Sequence, residues 1–249
     1  MKICVAQIKP IKGNVSANIE AHIRFIELAL TLHAEAIFFP ELSLTGYEPK
    51  LAKKLATNQN DDRLDIFQHI SDKNNIIIGL GLPTIAELKI RISMIIFEPN
   101  KPRQTYSKQY LHSDEFPYFE NGIGQVLIKI EDTHIAPAIC YESLQPIHCE
   151  NAYKLGANVY LASVAKPANG VEKAFMHYSR IAKQYEMPVL MSNCVGDCDD
   201  FLSVGKSAVW TKKGELVGQL DDKTEGILIF DSVTEEATER IIKNKHTIG

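Results

Sequence analysis

The chain has 249 residues, of which 45% are hydrophobic and 23% charged, with a formal net charge of −4. That is the composition of an ordinary soluble globular protein, long enough to bury a substantial core without a disulfide or metal staple. The acidic balance and the lack of a long basic run exclude a nucleic-acid surface, and no apolar stretch approaches the roughly eighteen residues of a membrane span.

In chain order, Lys2 to Gln7 reads as a strand. It starts without the apolar core of a signal peptide, so a cytoplasmic protein is expected. Asn14 to His33 follows with helical spacing, Ile19, Ile23, Ile26, Leu28 and Leu30 supplying its apolar positions. Ala36 to Phe39 is a strand stopped by Pro40, and Glu41 to Pro49 is a loop by composition. A helix is predicted over Asp61 to Lys73 and strands over Ile76 to Leu82, Ile90 to Phe97 and Thr105 to Lys108. Val126 to Ile130 and His134 to Cys140 form a strand pair across the turn at 131–133, and a helix over Glu142 to Leu155 is capped by Gly156. Strand Val159 to Val164 and helix Val171 to Tyr185 come next. Strands over Val189 to Cys194, Gly205 to Trp210, Glu215 to Gln219 and Ile227 to Phe230 follow, and then a charged terminal helix or tail, Thr234 to Lys245, within about 233–249. The alternation of short apolar runs with amphipathic ones is α/β layering, and the lack of a linker makes residues 1–249 one domain.

An odd count of five cysteines leaves at least one thiol free. Cys194 and Cys198 sit in Cys-Val-Gly-Asp-Cys, but without the second Cys-x-x-Cys pair or the histidines of a structural zinc site, so no metal is expected. Three other segments carry chemistry. Glu41 follows the apolar run Phe38-Phe39-Pro40, Lys108 ends Tyr106-Ser107-Lys108, and Cys140 ends Ile135-Ala136-Pro137-Ala138-Ile139 just before a predicted helix. Each alone has an ordinary reading, as a solvated carboxylate, an edge-strand lysine or an inert core thiol. Polar residues at the carboxyl ends of α/β strands are where such sheets put their chemistry, and a helix N-terminus favours a thiolate. Cys140 is therefore the best placed of the five thiols.

As an ordered set these segments resemble the nitrilase superfamily of carbon–nitrogen hydrolases. The likeness runs from Ile3-Cys4-Val5-Ala6-Gln7 through Phe39-Pro40-Glu41-Leu42, Tyr106-Ser107-Lys108 and Ile139-Cys140-Tyr141-Glu142 to Leu155-Gly156-Ala157-Asn158-Val159 and Gly205-Lys206-Ser207. The resemblance implies a four-layer α-β-β-α sandwich, a triad of Glu41, Lys108 and Cys140, and a second active-site glutamate at Glu115. It also implies a homodimer or higher homo-oligomer, a small-molecule amide substrate, and no metal or organic cofactor. Tyr141 stands where nitrile-cleaving members usually carry tryptophan, which makes the segment more like an amidase; Ser107 stands where a basic residue is frequent. The stretch Ala165 to Val171 matches no subfamily and leaves the substrate unnamed.

An unperturbed thiol is only about 3% ionised at pH 7, and in water proton transfer from cysteine to glutamate is uphill by about four pKa units, roughly 5.7 kcal/mol. Burial of Glu41 and a cation beside Cys140 would both narrow that gap. In this reading Glu41 is base and then acid, Lys108 and the backbone N–H of Tyr141 hold the oxyanion, and Glu115 orients substrate or water. Tyr47 and Phe116 fit a pocket wall and core packing equally well. The alternatives are an N-carbamoyl hydrolase, a nitrilase, or a catalytically silent binding or scaffold protein of the same fold.

Overall fold

The structure is a computed structural model that describes residues 1–87 and 89–242. The first half of the chain runs β1 (Lys2–Gln7), α1 (Val15–Thr31), β2 (Ala36–Phe38), α2 (Ala52–Leu55), α3 (Asp65–Asn74), β3 (Ile77–Ala86), β4 (Lys89–Phe97) and β5 (Gln104–Ser107). The second half runs β6 (Ile128–Ile130), β7 (Thr133–Ile139), α4 (Pro146–Lys154), β8 (Val159–Val164), α5 (Ala168–Tyr185) and β9 (Val189–Asn193). It continues with β10 (Val195–Cys198), β11 (Phe201–Val204), β12 (Ala208–Trp210), β13 (Leu216–Gln219), β14 (Gly226–Asp231) and β15 (Glu236–Ile241).

These strands form a seven-stranded sheet, β15-β14-β1-β2-β3-β4-β5, a six-stranded sheet, β13-β12-β9-β8-β7-β6, and a separate β10-β11 hairpin. The period-2 geometry of a strand sorts each run between two cores. On β1, Ile3 and Val5 point into the interface between the sheets, while Cys4 and Ala6 point to the layer of α1 and α3. On β7 and β8, Ile135, Ile139, Val159 and Leu161 face that same interface, while Ala136, Ala138, Tyr160 and Ala162 face α4 and α5. Strands apolar on both faces must be covered on both, so the result is the four-layer α-β-β-α sandwich that the resemblance implies. Among the described residues no helix is long and apolar enough to cross a membrane.

Four local expectations change. The buried stripe of α1 is Asn18, Ala21, His22, Phe25, Ile26 and Ala29, so that of the five predicted apolar positions only Ile26 is fully buried. Polar Asn18 and His22 turn inward because they have buried partners: Asn18 Nδ2 donates to the Leu44 carbonyl at 3.0 Å, and His22 Nε2 lies 3.0 Å from Ser43 Oγ. The helix predicted over Glu142 to Leu155 is split. Cys140–Leu144 is a 3-10 helix, and α4 starts at Pro146, whose missing N–H suits a first helical position. The terminal helix is wrong over 236–241, which is strand β15, antiparallel to β14; the remainder of that segment beyond 242 lies outside the described residues. The β10-β11 hairpin has no counterpart in the sequence reading.

Candidate active site

Glu41 leaves the end of β2 on a loop held against β3. Phe39 N–H donates to the Gly79 carbonyl and Leu44 N–H to the Gly81 carbonyl, both at 2.9 Å. Gly81 lets the loop come this close, because a Cβ there would lie 2.5 Å from Leu42 N and 2.6 Å from the Pro40 carbonyl oxygen. Leu42 adopts a positive φ of 50° immediately after the glutamate, a strained geometry of the kind held in place at functional sites. The Glu41 carboxylate is buried (1% exposed). Its Oε1 accepts from Lys108 Nζ at 2.8 Å, and its Oε2 is buried without a hydrogen-bond partner among the described residues. Burial raises the affinity of Glu41 for a proton, the Lys108 ammonium opposes that, and the nearby Glu115 charge adds to it; the net direction is upward.

Lys108 follows β5 directly. Its N–H donates to the Ile92 carbonyl at 2.8 Å, and its carbonyl accepts from Gly122 N–H at 2.6 Å. A side chain at Gly122 would strike the Ser107 carbonyl at 2.2 Å, so only glycine allows the 120–122 segment to lock this strand end. The ammonium is fully buried and is shared by Glu41 and Glu115, the latter at 2.7 Å. Burial pulls its pKa down, but the two carboxylates outweigh burial and the ammonium is held more tightly than in water. Lys108 is therefore a fixed charge rather than a proton carrier. Glu115 is oriented in turn by the Tyr47 hydroxyl (2.9 Å to Oε1) and by His112 N–H (2.7 Å to Oε2).

Cys140 opens the 3-10 helix after β7 with a φ of 50°, a sharp strand-to-helix turn that few non-glycine residues adopt. Glu142 pins this turn to the lysine segment. Its Oε1 accepts from Ile139 N–H and the Tyr106 hydroxyl at 2.6 Å each, and its Oε2 accepts from Gln109 N–H at 2.6 Å. Desolvation pushes Glu142 up to about 7 against those hydrogen bonds. His148 lies 3.7 Å from it but is pushed down to about 4 by burial, so the contact is not an ion pair. The thiol itself does not show the depression expected from a helix N-terminus. Burial and the Glu41 charge push it up to about 11, and Lys166 and Lys108 recover only part of that. A single 3-10 turn has a small dipole, and desolvation of a thiolate outweighs it.

Cys140, Glu115, Tyr47 and Tyr141 line one cavity of about 400 Å³, closed on the far side by 165–170 and by Phe201 of β11. Of the two aromatic candidates, Tyr47 is in the wall, whereas Phe116 is 58% exposed and faces a different depression. Tyr141 N–H is among the first N–H groups of the 3-10 turn, which have no partner within the helix. The residue that sequence reasoning missed is Lys166, inside the stretch that matched no subfamily: its Nζ lies 3.8 Å from Cys140 Sγ. Cys194 and Cys198 sit 3.6 Å apart, sulfur to sulfur, and among the described residues no cluster of three or more His, Cys, Asp or Glu could hold a metal ion.

Comparison with known proteins places the fold and the family. The NitN amidase of Nesterenkonia sp. AN1 superposes with a TM-score of 0.85 at 19% identity, covering 93% of this chain and 92% of that one. The glutamine-dependent NAD(+) synthetase of Acinetobacter baylyi is 26% identical over 231 residues, or 88% of this chain and 41% of that protein. A Staphylococcus aureus protein described as the hydrolase in the agr operon is 20% identical over 96% of this chain and 94% of its own length. The chain thus spans about two fifths of the length of the first synthetase relatives. A model of the carbon-nitrogen hydrolase family matches residues 2–240, and the chain belongs to that family, within the nitrilase superfamily.

Proposed function

We propose that this protein hydrolyses the carbon–nitrogen bond of a small non-peptide amide through a thioester on Cys140, with Glu41 as proton carrier and Lys108 as electrostatic partner. The observation that carries the reading is a cavity lined by Cys140 and Glu115, with Glu115 joined at 2.7 Å to the buried Lys108 ammonium and Lys108 joined at 2.8 Å to Glu41. Glu41 Oε1 is anchored by the lysine and Oε2 is unpartnered, which suits Oε2 to take the thiol proton as sulfur attacks the carbonyl. Burial shifts its pKa upward, which favours the carboxylate as a proton acceptor. Two of the three Lys108 donors are committed to carboxylates. The third, with Tyr141 N–H, supports the tetrahedral oxyanion. Glu41 then returns the proton to the departing nitrogen, and water, activated by the same carboxylate, cleaves the thioester. Glu115, fixed by Tyr47 and His112, orients the amide or the water.

An amidase variant from Nesterenkonia sp. AN1 carries acrylamide added at its active-site cysteine, which supports a reactive cysteine in a protein of this fold. Several curated relatives are glutamine-dependent synthetases, so glutamine belongs among the amides tried. The test is ammonia release from short ω-amides including glutamine, N-carbamoyl amino acids and aliphatic nitriles. Amides should be turned over best, since a nitrile adduct puts its charge on nitrogen and leaves the oxyanion donors unpaired, at about 1–3 kcal/mol per group. Nitrile turnover above amide turnover would overturn the reading. Ammonia with carbon dioxide from carbamoyl substrates alone would replace it with an N-carbamoyl hydrolase, and no turnover of any class would favour a silent scaffold. A homodimer or larger homo-oligomer belongs to the same proposal, and a monomeric mass in sedimentation would remove it.

A further inference from the structure

β8 ends at Val164, and the next two residues turn into the cavity. The Ala165 carbonyl accepts from the Cys140 thiol at 3.6 Å, and Lys166 Nζ donates to the same sulfur at 3.8 Å. Lys166 is only 4% exposed, and among the described residues no carboxylate pairs with it, whereas Lys108 is held by two. A buried ammonium without a counter-ion is expensive, so its surroundings must compensate it. The backbone is built to hold it there. Lys166 N–H donates to Asn193 Oδ1 at 3.0 Å, and its carbonyl accepts from Ser203 Oγ and Val204 N–H of the β10-β11 hairpin, both at 3.2 Å.

Charge explains the arrangement. With Glu41 and Glu115 ionised, Lys108 alone leaves the buried cluster one negative charge in excess, which would oppose a thiolate. Lys166 cancels that excess. Moving the thiol proton to Glu41 then only relocates a negative charge, from the Glu41 carboxylate beside Lys108 to the sulfur that Lys166 already touches. We propose that Lys166 is a further catalytic residue, whose ammonium holds the Cys140 thiolate while Lys108 serves the acyl oxygen. This divides between two cations the roles that the Glu41–Lys108–Cys140 reading gives to one. It rests on Cys140 being the nucleophile, but not on the identity of the substrate.

The remaining titratable groups around the pair are the Tyr47, Tyr141 and Tyr178 phenols, His177 on α5, and His112, Asp114 and Lys173 in the cavity lining. Burial, with Arg180 and Lys166 beside it, holds His177 at about 4, so it is neutral when the thiol is probed near neutrality.

The test is alkylation of the free enzyme by neutral iodoacetamide and anionic iodoacetate at one pH near 8, with Cys140→Ala as the blank. Lys166→Met should slow both reagents at least about tenfold, since each unit of upward thiol shift lowers the thiolate fraction tenfold. Lys166→Arg should recover most of the iodoacetamide rate. Thermal unfolding of Lys166→Met should be no earlier than wild type, because an unpaired buried charge has been replaced by an apolar chain; a variant that does not fold is replaced by Lys166→Gln. An unchanged iodoacetamide rate with a lost iodoacetate rate would overturn the proposal in favour of a lysine that binds an anionic substrate group. Unchanged rates with both reagents would make Lys166 a bystander. Failure of the Cys140→Ala blank to abolish labelling would instead sink the nucleophile assignment.

Discussion

Removing the Lys108 ammonium while keeping its volume, as in Lys108→Met, leaves Glu41 and Glu115 buried together with no cation between them. At 2.8 and 2.7 Å, the gross attraction is about 6 kcal/mol per pair at an effective dielectric of 20. Protonation of a carboxylate recovers part of this, so the net loss should be near the 3–5 kcal/mol typical of an orphaned buried ion, roughly 10 °C in Tm for a chain of this size. The pH dependence gives the sign. Without the lysine the buried Glu41 carboxyl holds its proton more tightly folded than unfolded, so the folded state binds more protons above the ordinary carboxylate pKa of about 4.3. Stability of the variant relative to wild type should therefore fall as pH rises from about 5 to 8. Urea unfolding across that range measures it, with Lys108→Arg as a control that keeps the charge but loses turnover, because a planar fork does not fit a site made for a compact ammonium. A penalty below about 1 kcal/mol, or one independent of pH, would refute the claim that Lys108 neutralises both glutamates.

Three further outcomes follow from the geometry. Cys140→Ala should abolish turnover and leave Tm within a degree or two in a thermal melt, since one half-buried sulfur is lost. Gly81→Ala should displace the Glu41 loop, reducing kcat at least about tenfold while the thiol still alkylates; unchanged kcat would mean that the 2.5 Å approach to Leu42 N relaxes without moving the carboxylate. Glu142→Ala orphans the Ile139 and Gln109 N–H groups and should cost about 3–5 kcal/mol in urea unfolding, whereas a loss under 1 kcal/mol would show that the latch is dispensable.

The α/β layering was legible because strands such as Val159 to Val164 are apolar on both faces and alternate with amphipathic helices, whereas the four-layer sandwich came from the family resemblance. The elements that escaped are those whose local signal conflicts with their tertiary role. Glu236, Glu239 and Arg240 look like a solvated helix, yet charges are what an edge strand such as β15 uses to block further pairing. Asn18 and His22 look like surface residues, and only the loop carrying Ser43 and Leu44 shows why they are buried. At the site, it was the family resemblance that drew Glu41, Lys108 and Cys140 together, since each strand-end position alone has an ordinary reading. Lys166 was not readable, because a lysine after a strand reads as solvent-facing until the thiol is seen beside it. The state of the thiol was misjudged for a related reason: sequence shows the turn that follows Cys140 but not the burial that dominates its pKa.

The central claim is that acyl transfer passes through Cys140. Rapid acid quench of the enzyme during turnover of a slow amide, followed by mass spectrometry of the peptide containing Cys140, tests it most directly. The account predicts that the acyl mass appears on Cys140 within the first turnover, and that Glu41→Gln no longer accumulates it. Ammonia release with no acyl adduct on Cys140, or an adduct on another residue, would contradict it.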